Sequence, residues 1–214
     1  MNRITLALLC FIAVSFIHSP VFAQNEEEAT EASGGIIQRY GRNAANGISS
    51  VIADPNSSNL LRNYSSVTDE LLQSPPDADW LTWRRTYNNQ GFSNLDQINR
   101  ENVVDLELAW NQVVTVGNNM PTPLVHDGIM FLYSAGDVVL ALDATNGDML
   151  WRYSHDGEAG TSHKFGIALH EDKVLVPTSN FHMVALNARS GEVIWDHAIE
   201  MEDYDGYQLR SAPT

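Results

Sequence analysis

The sequence predicts an all-β chain built as part of a β-propeller, and three observations predict it. First, Ala141-Leu142-Asp143-Ala144, Gly147 and Trp151 recur as Ala185-Leu186-Asn187-Ala188, Gly191 and Trp195, a displacement of 44 residues. Second, Trp110 stands 41 residues before Trp151, so the period extends towards the N-terminus. Third, short apolar runs separated by Gly, Asn and Asp fill each period, the content of four short strands per repeat. A period of this length with strand content marks a propeller or a related array. A propeller closes with typically four to eight blades, and only about two and a half repeats fit between Trp110 and Thr214. The chain is expected to be the beginning of something larger.

The N-terminus reads as a cleavable leader over residues 1–23. Arg3 supplies a positive charge, an apolar run follows from Ile4 to about Ile17, and Val21-Phe22-Ala23 matches the small-x-small pattern before a cleavage site. A run of roughly 14 residues is short for a bilayer span of about 20, so no membrane span is expected after cleavage at Ala23. Cys10, the only cysteine, lies inside this leader, and Leu9 before it does not suit lipidation. The mature chain therefore has no thiol and no disulfide, and export without disulfides fits a bacterial periplasm.

Residues 24–76 read as a polar segment or linker, with Glu26, Glu27 and Glu28 clustered and Ser33-Gly34-Gly35 following. Within it, Val67 to Leu72 predicts a short helix capped by Thr68 or Ser66 and ended before Pro75-Pro76. The folded domain, 77–214, is expected to start near Asp77.

Beyond that point the signals are strands and turns. Leu108 to Val116 is a strand-like run ended by Gly117-Asn118-Asn119. Pro123 to Val125 leads through the turn His126-Asp127-Gly128 into Ile129 to Tyr133, a good hairpin signal. Val138 to Leu142 and Met149 to Tyr153 complete a four-stranded blade. The next repeat runs through Phe165 to Leu169, a turn at His170 to Asp172, Lys173 to Val176, Met183 to Leu186, and Val193 to Trp195. The repeated Gly147 and Gly191 supply a positive-φ turn between the last two strands. Trp151 and Trp195, with Trp110, are large enough to bridge to a neighbouring blade, each indole N–H seeking a carbonyl. These residues build the scaffold and do no chemistry.

The formal net charge is −15, from 27 acidic and 12 basic residues. Such a surface repels nucleic acid and anionic lipid, so neither is an expected partner. No Gly-rich phosphate loop and no nucleophile elbow is present. Asp143, Thr145 and Asp148 have the look of a calcium loop but coincide with the blade turn, which explains them better. His155, His163, His170, His182 and His197 lack the helical pairing or carboxylate framing that signals a metal, so none is expected to bind one.

Trp80-Leu81-Thr82-Trp83-Arg84-Arg85-Thr86-Tyr87, then Phe92 to Asn99 and Asn102-Val103, resembles the opening of the pyrroloquinoline-quinone (PQQ)-dependent alcohol dehydrogenases. Thr122 to Val125, Asp127-Gly128 and the two Trp repeats continue the likeness, which covers roughly Asp77 to Thr214. The resemblance implies the N-terminal blades of an eight-bladed periplasmic quinoprotein holding PQQ and a Ca²⁺ or lanthanide ion on its axis. It implies oxidation of a small alcohol by hydride transfer to the quinone, assisted by an aspartate base, with electrons leaving to a cytochrome.

The resemblance also implies that the metal ligands and the catalytic aspartate lie beyond Thr214, so no catalytic or metal residue is assigned here. The family's adjacent cysteine pair is missing. Met120 stands where many members have Glu, Phe165 where many have Arg, and Arg210 where some have Thr. Lys164 and Arg210 are the candidate cofactor contacts, because ammonium and guanidinium groups bind the carboxylates of PQQ; solvated surface charge is the competing reading. The departures also leave open a second function class, a non-catalytic envelope propeller scaffold that shares the Trp repeat. The isolated chain is expected to be inactive.

Overall fold

The computed structural model describes residues 58–156, 166–200 and 209–213. The leader and the residues up to 57 lie outside them. Two short helices, α1 (Ser58–Arg62) and α2 (Asp69–Gln73), precede eight strands. These are β1 (Leu124–His126), β2 (Ile129–Ser134), β3 (Val138–Asp143), β4 (Met149–Ser154), β5 (Ala168–His170), β6 (Lys173–Pro177), β7 (His182–Asn187) and β8 (Val193–Ala198). They form two four-stranded antiparallel meanders, β1-β2-β3-β4 and β5-β6-β7-β8, which are two propeller blades.

The repeat in the sequence is a repeat in backbone detail. Asp127 and Gly128, at φ 49 and 76, turn β1 into β2, a two-residue loop whose twist suits a hairpin. Each blade carries a ladder irregularity at the same place, between Ala141 and Leu142 and between Ala185 and Leu186. The turn that follows is closed by Asp143, whose carboxylate accepts from the Thr145 N–H (2.8 Å) and hydroxyl (2.6 Å). Asn187 does the same for the Arg189 and Ser190 N–H groups. Asp143 is thus spent on its own turn, as the turn reading expects. Gly147 and Gly191 lie at φ 80 and 72, conformations that glycine adopts without a Cβ penalty.

Strand periodicity then builds the core. On β2 and β3, Phe131, Tyr133, Val139 and Ala141 join Val174, Val176, Val184 and Leu186 of the second blade in one buried cluster. The alternate residues Met130, Leu132, Val138, Leu140 and Leu142 form a second cluster, with Trp110 and Val114 packed against it. The first blade is therefore covered on both faces, and all six residues of β2 are buried. The outer strand β8 is almost entirely exposed apart from the half-buried Trp195.

Two expectations are modified. Leu108 to Val116 joins no ladder among the described residues, with Leu108, Val113 and Val116 at 78%, 84% and 97% exposure. Trp110 gives this run the place in its repeat that β4 and β8 hold in theirs. An outer strand has no ladder to join without the inner strands of its own blade.

The packed unit also reaches further towards the N-terminus than Asp77. Leu61, Tyr64, Val67 and Leu72 are buried in the main cluster. Val67 exchanges backbone hydrogen bonds with Glu171 (3.0 and 2.7 Å), and Trp80 with Val125 (2.8 and 2.9 Å). The expected helix is α2, with Thr68 as its cap, Oγ1 accepting from the Leu71 N–H at 3.3 Å. Residues 58–81 form a strap across the hairpin ends of both blades: Ser65 bonds Asp127, Ser66 bonds Asp172, and the Tyr64 carbonyl accepts from Arg189. No helix among the described residues is long and apolar enough to cross a membrane.

Candidate functional site

The structure offers three places for function: the seam between blades, the strap, and the rim opposite the strap. The seam is made by the tryptophans. The Trp110 indole N–H donates to the Ala144 carbonyl (3.2 Å), and that of Trp151 donates to the Ala188 carbonyl (2.9 Å). Each Trp therefore docks into the Ala-Leu-(Asp/Asn)-Ala turn of the following blade, which explains why that turn and the Trp recur together. Trp195 repeats the position, yet among the described residues no carbonyl meets its indole; it stacks on His197 instead, with centroids 5.1 Å apart.

Where the strap meets β1 lies a buried charged pair that sequence reasoning missed. His126 Nδ1 is 2.7 Å from Asp79, and its Nε2 is 3.0 Å from the Ser65 carbonyl. Both partners are acceptors, and a neutral imidazole has only one N–H to offer. Burial by itself would lower the His126 pKa. The hydrogen bond and charge of Asp79, with the charge of Asp127 and the Ser65 carbonyl, outweigh it and raise the pKa above its ordinary value. The pair clamps the strap to β1.

At the rim, the β2–β3 and β6–β7 connections meet. The Tyr133 hydroxyl lies 2.6 Å from both Asp137 and the Pro177 carbonyl, and Asp137 also accepts from the Ser179 N–H (2.7 Å). Beside it, His155 follows β4, and its Nδ1 is 2.9 Å from the Tyr153 hydroxyl. His182 opens β7, with Nδ1 2.6 Å from Asp196 on β8. The expectation that these histidines lack carboxylate framing does not hold for His182. Its partner is 14 residues away and reaches it through the β7–β8 register, in which Val184 faces Asp196. No linear spacing announces such a diagonal pair.

Of the two expected cofactor contacts, Lys164 lies outside the described residues, as does Phe165. Arg210 is exposed, in the short stretch 209–213 that follows the second blade. That stretch returns to the propeller at Ala212, which faces Gly166 just before β5. Arg210 precedes that contact by two residues, and a guanidinium is chemically suited to a carboxylate. Among the described residues, no group of three or more carboxylates gathers its oxygens as a hard cation would need. Met120 is exposed in the segment before β1. Trp83, Tyr87 and Phe92, in the opening segment, are also exposed.

The PQQ family model, described as the β-propeller domain of glucose/ethanol/alcohol dehydrogenases, matches residues 80–198. Quinohemoprotein alcohol dehydrogenase ADH IIB of Pseudomonas putida is 39% identical over 144 residues, covering 64% of this chain and 21% of that protein. Among solved structures, quinohemoprotein alcohol dehydrogenase ADHIIG of Pseudomonas putida superposes with a TM-score of 0.65 at 29% identity, covering 70% of this chain and 23% of that one. A europium-containing methanol dehydrogenase superposes with a TM-score of 0.56 at 27% identity, covering 61% and 25%. The chain spans about a fifth of the length of the curated relatives it matches.

Proposed function

This chain belongs to the PQQ β-propeller family of glucose, ethanol and alcohol dehydrogenases, and from that premise we propose that it supplies the N-terminal blades of a periplasmic PQQ-dependent alcohol dehydrogenase. The observation that carries the reading is the family match over 80–198, joined to a Trp seam repeated at equivalent positions of consecutive blades. The relatives of similar sequence are named as alcohol dehydrogenases. The leader 1–23 directs export, with the mature chain starting at Gln24; N-terminal sequencing of the exported protein checks that start.

When bound, PQQ supplies a quinone that accepts a hydride from the alcohol, with a Ca²⁺ or lanthanide ion polarising its reacting carbonyl. The residues of this chain have a binding and positioning share in that chemistry. The Arg210 guanidinium, with Lys164, would hold carboxylates of the cofactor by charge-assisted hydrogen bonds. Trp110 and Trp151 fix each blade against the next, and so fix where the inner strands β1 and β5 begin. The aspartate base and the metal ligands belong to later blades.

The test is oxidation of a primary alcohol by the complete protein, reconstituted with PQQ and either Ca²⁺ or a lanthanide, read as reduction of a cytochrome or dye. Turnover by the complete protein, with none from residues 24–214 alone, is expected. A folded complete protein that neither binds PQQ nor turns over would instead be the non-catalytic envelope scaffold, in keeping with Met120, Phe165 and Arg210. Turnover by residues 24–214 alone would overturn the assignment of the catalytic groups to later blades.

A further inference from the structure

We propose that His155, His182 and Asp196 form a binding site for a divalent transition-metal ion of the zinc type, clamping the first blade to the second at the rim. One donor atom from each of the three residues lies within 4.8 Å of the others. His155 comes from the end of the first blade, and His182 and Asp196 from adjacent strands of the second. Ligands on a tetrahedral ion at about 2.0–2.1 Å stand roughly 3.4 Å apart, so small side-chain rotations close the set.

Two independent features point to a cation. The His155 Nε2 is sealed from solvent and meets no hydrogen-bond partner among the described residues, although buried polar atoms are ordinarily satisfied. We assign that atom as the first donor. The Tyr153 hydroxyl, 2.9 Å from Nδ1 on the other side of the ring, orients it as partners of metal-bound imidazoles do.

Next, His182 Nδ1 and Asp196 Oδ1 are 2.6 Å apart, with side chains about a third exposed. A metal ion can take the place of the proton between them and still be reached from solvent.

The donor set decides which cation. Two imidazoles and one carboxylate suit zinc, copper, nickel or iron, whereas calcium prefers six to eight oxygens. The site is thus separate in chemistry from the hard metal that PQQ enzymes use, and it does not depend on whether this protein binds PQQ. Three protein ligands leave the remaining position to water.

The experiment is a titration of the full chain with Zn²⁺, read by competition with a chromophoric chelator, and of Co²⁺, read by visible d–d absorption. Expected are one saturable site, tetrahedral-type Co²⁺ bands, and no displacement by equimolar Ca²⁺. His155→Gln, His182→Gln and Asp196→Asn should each weaken binding at least tenfold, while His170→Gln, outside the cluster, leaves it unchanged. Zn²⁺ at a hundredfold excess over its Kd should raise Tm by roughly 5–10 °C, an effect the three variants lose. Far-UV circular dichroism separates loss of binding from loss of fold. If a cluster variant does not fold, the Co²⁺ spectrum and the Ca²⁺ competition on the unmodified chain decide. Binding by all three folded variants at unmodified affinity, or no saturation below millimolar Zn²⁺, would overturn the proposal.

Discussion

Trp151 lies so close over Gly191 that no side chain fits between them: a Cβ built on Gly191 would stand 2.7 Å from Trp151 Cε3. The same relationship joins Trp110 to Gly147, at 2.6 Å. Each glycine is therefore required twice, once for its positive φ and once for the indole that rests on it. This is the contact through which one blade sets the position of the next.

Gly191→Ala should destabilise the fold by about 2–5 kcal/mol, from left-handed backbone strain of about 1–2 kcal/mol and overpacking of about 1–3 kcal/mol. Trp151 is fully buried and has nowhere to move. Gly147→Ala meets the half-buried Trp110, which can swing towards solvent, so its cost should be smaller. Urea midpoints of the two variants at unchanged m-value check the ranking. Equal losses would mean that the indole contact adds nothing to the turn strain.

The pH dependence of stability should carry the signature of His126. Its folded pKa is raised above the unfolded value, so between the two the folded state binds the extra proton. That stabilisation is fully present below the ordinary histidine value and is lost as pH climbs through the raised one. Unfolding free energies measured across this window should fall with rising pH, and Asp79→Asn should flatten the slope. Asp79→Ala should cost about 3–5 kcal/mol, because it leaves a buried charge without its partner. A stability that rises with pH over the window, in both proteins, would contradict the clamp.

The repeat was legible because it is written in large, rare residues at fixed intervals: Gly147 with Trp151, and Gly191 with Trp195. The strap was not. Tyr64 and Val67 are single apolar residues in a polar stretch, and they are held by partners over a hundred residues away, Arg189 and Glu171. Composition reports local averages and is blind to such contacts. The run Leu108 to Val116 has the pattern of a strand but no ladder, since hydrogen-bond partners are supplied by other segments. The rim cluster was invisible for a related reason. His182 and Asp196 are diagonal neighbours across a hairpin whose ladder contains an irregularity, and His155 arrives from another blade.

Trp195 offers the sharpest check that the chain supplies blades to a larger ring. It occupies the docking position of Trp110 and Trp151, but here it is half-buried on an exposed outer strand and stacks on its own His197. In the chain of 214 residues, Trp195→Ala should therefore cost under about 1 kcal/mol, as at other surface positions. Trp151→Ala, which empties a buried seam, should cost about 3–5 kcal/mol. In the complete protein the two losses should converge, because a further blade would bring Trp195 a glycine to rest on and a carbonyl for its indole N–H. Chemical denaturation of both variants in both contexts measures the four values. A Trp195→Ala loss that stays small in the complete protein would mean that the Trp seam stops at the second blade, and that the ring, if it closes, closes by other contacts.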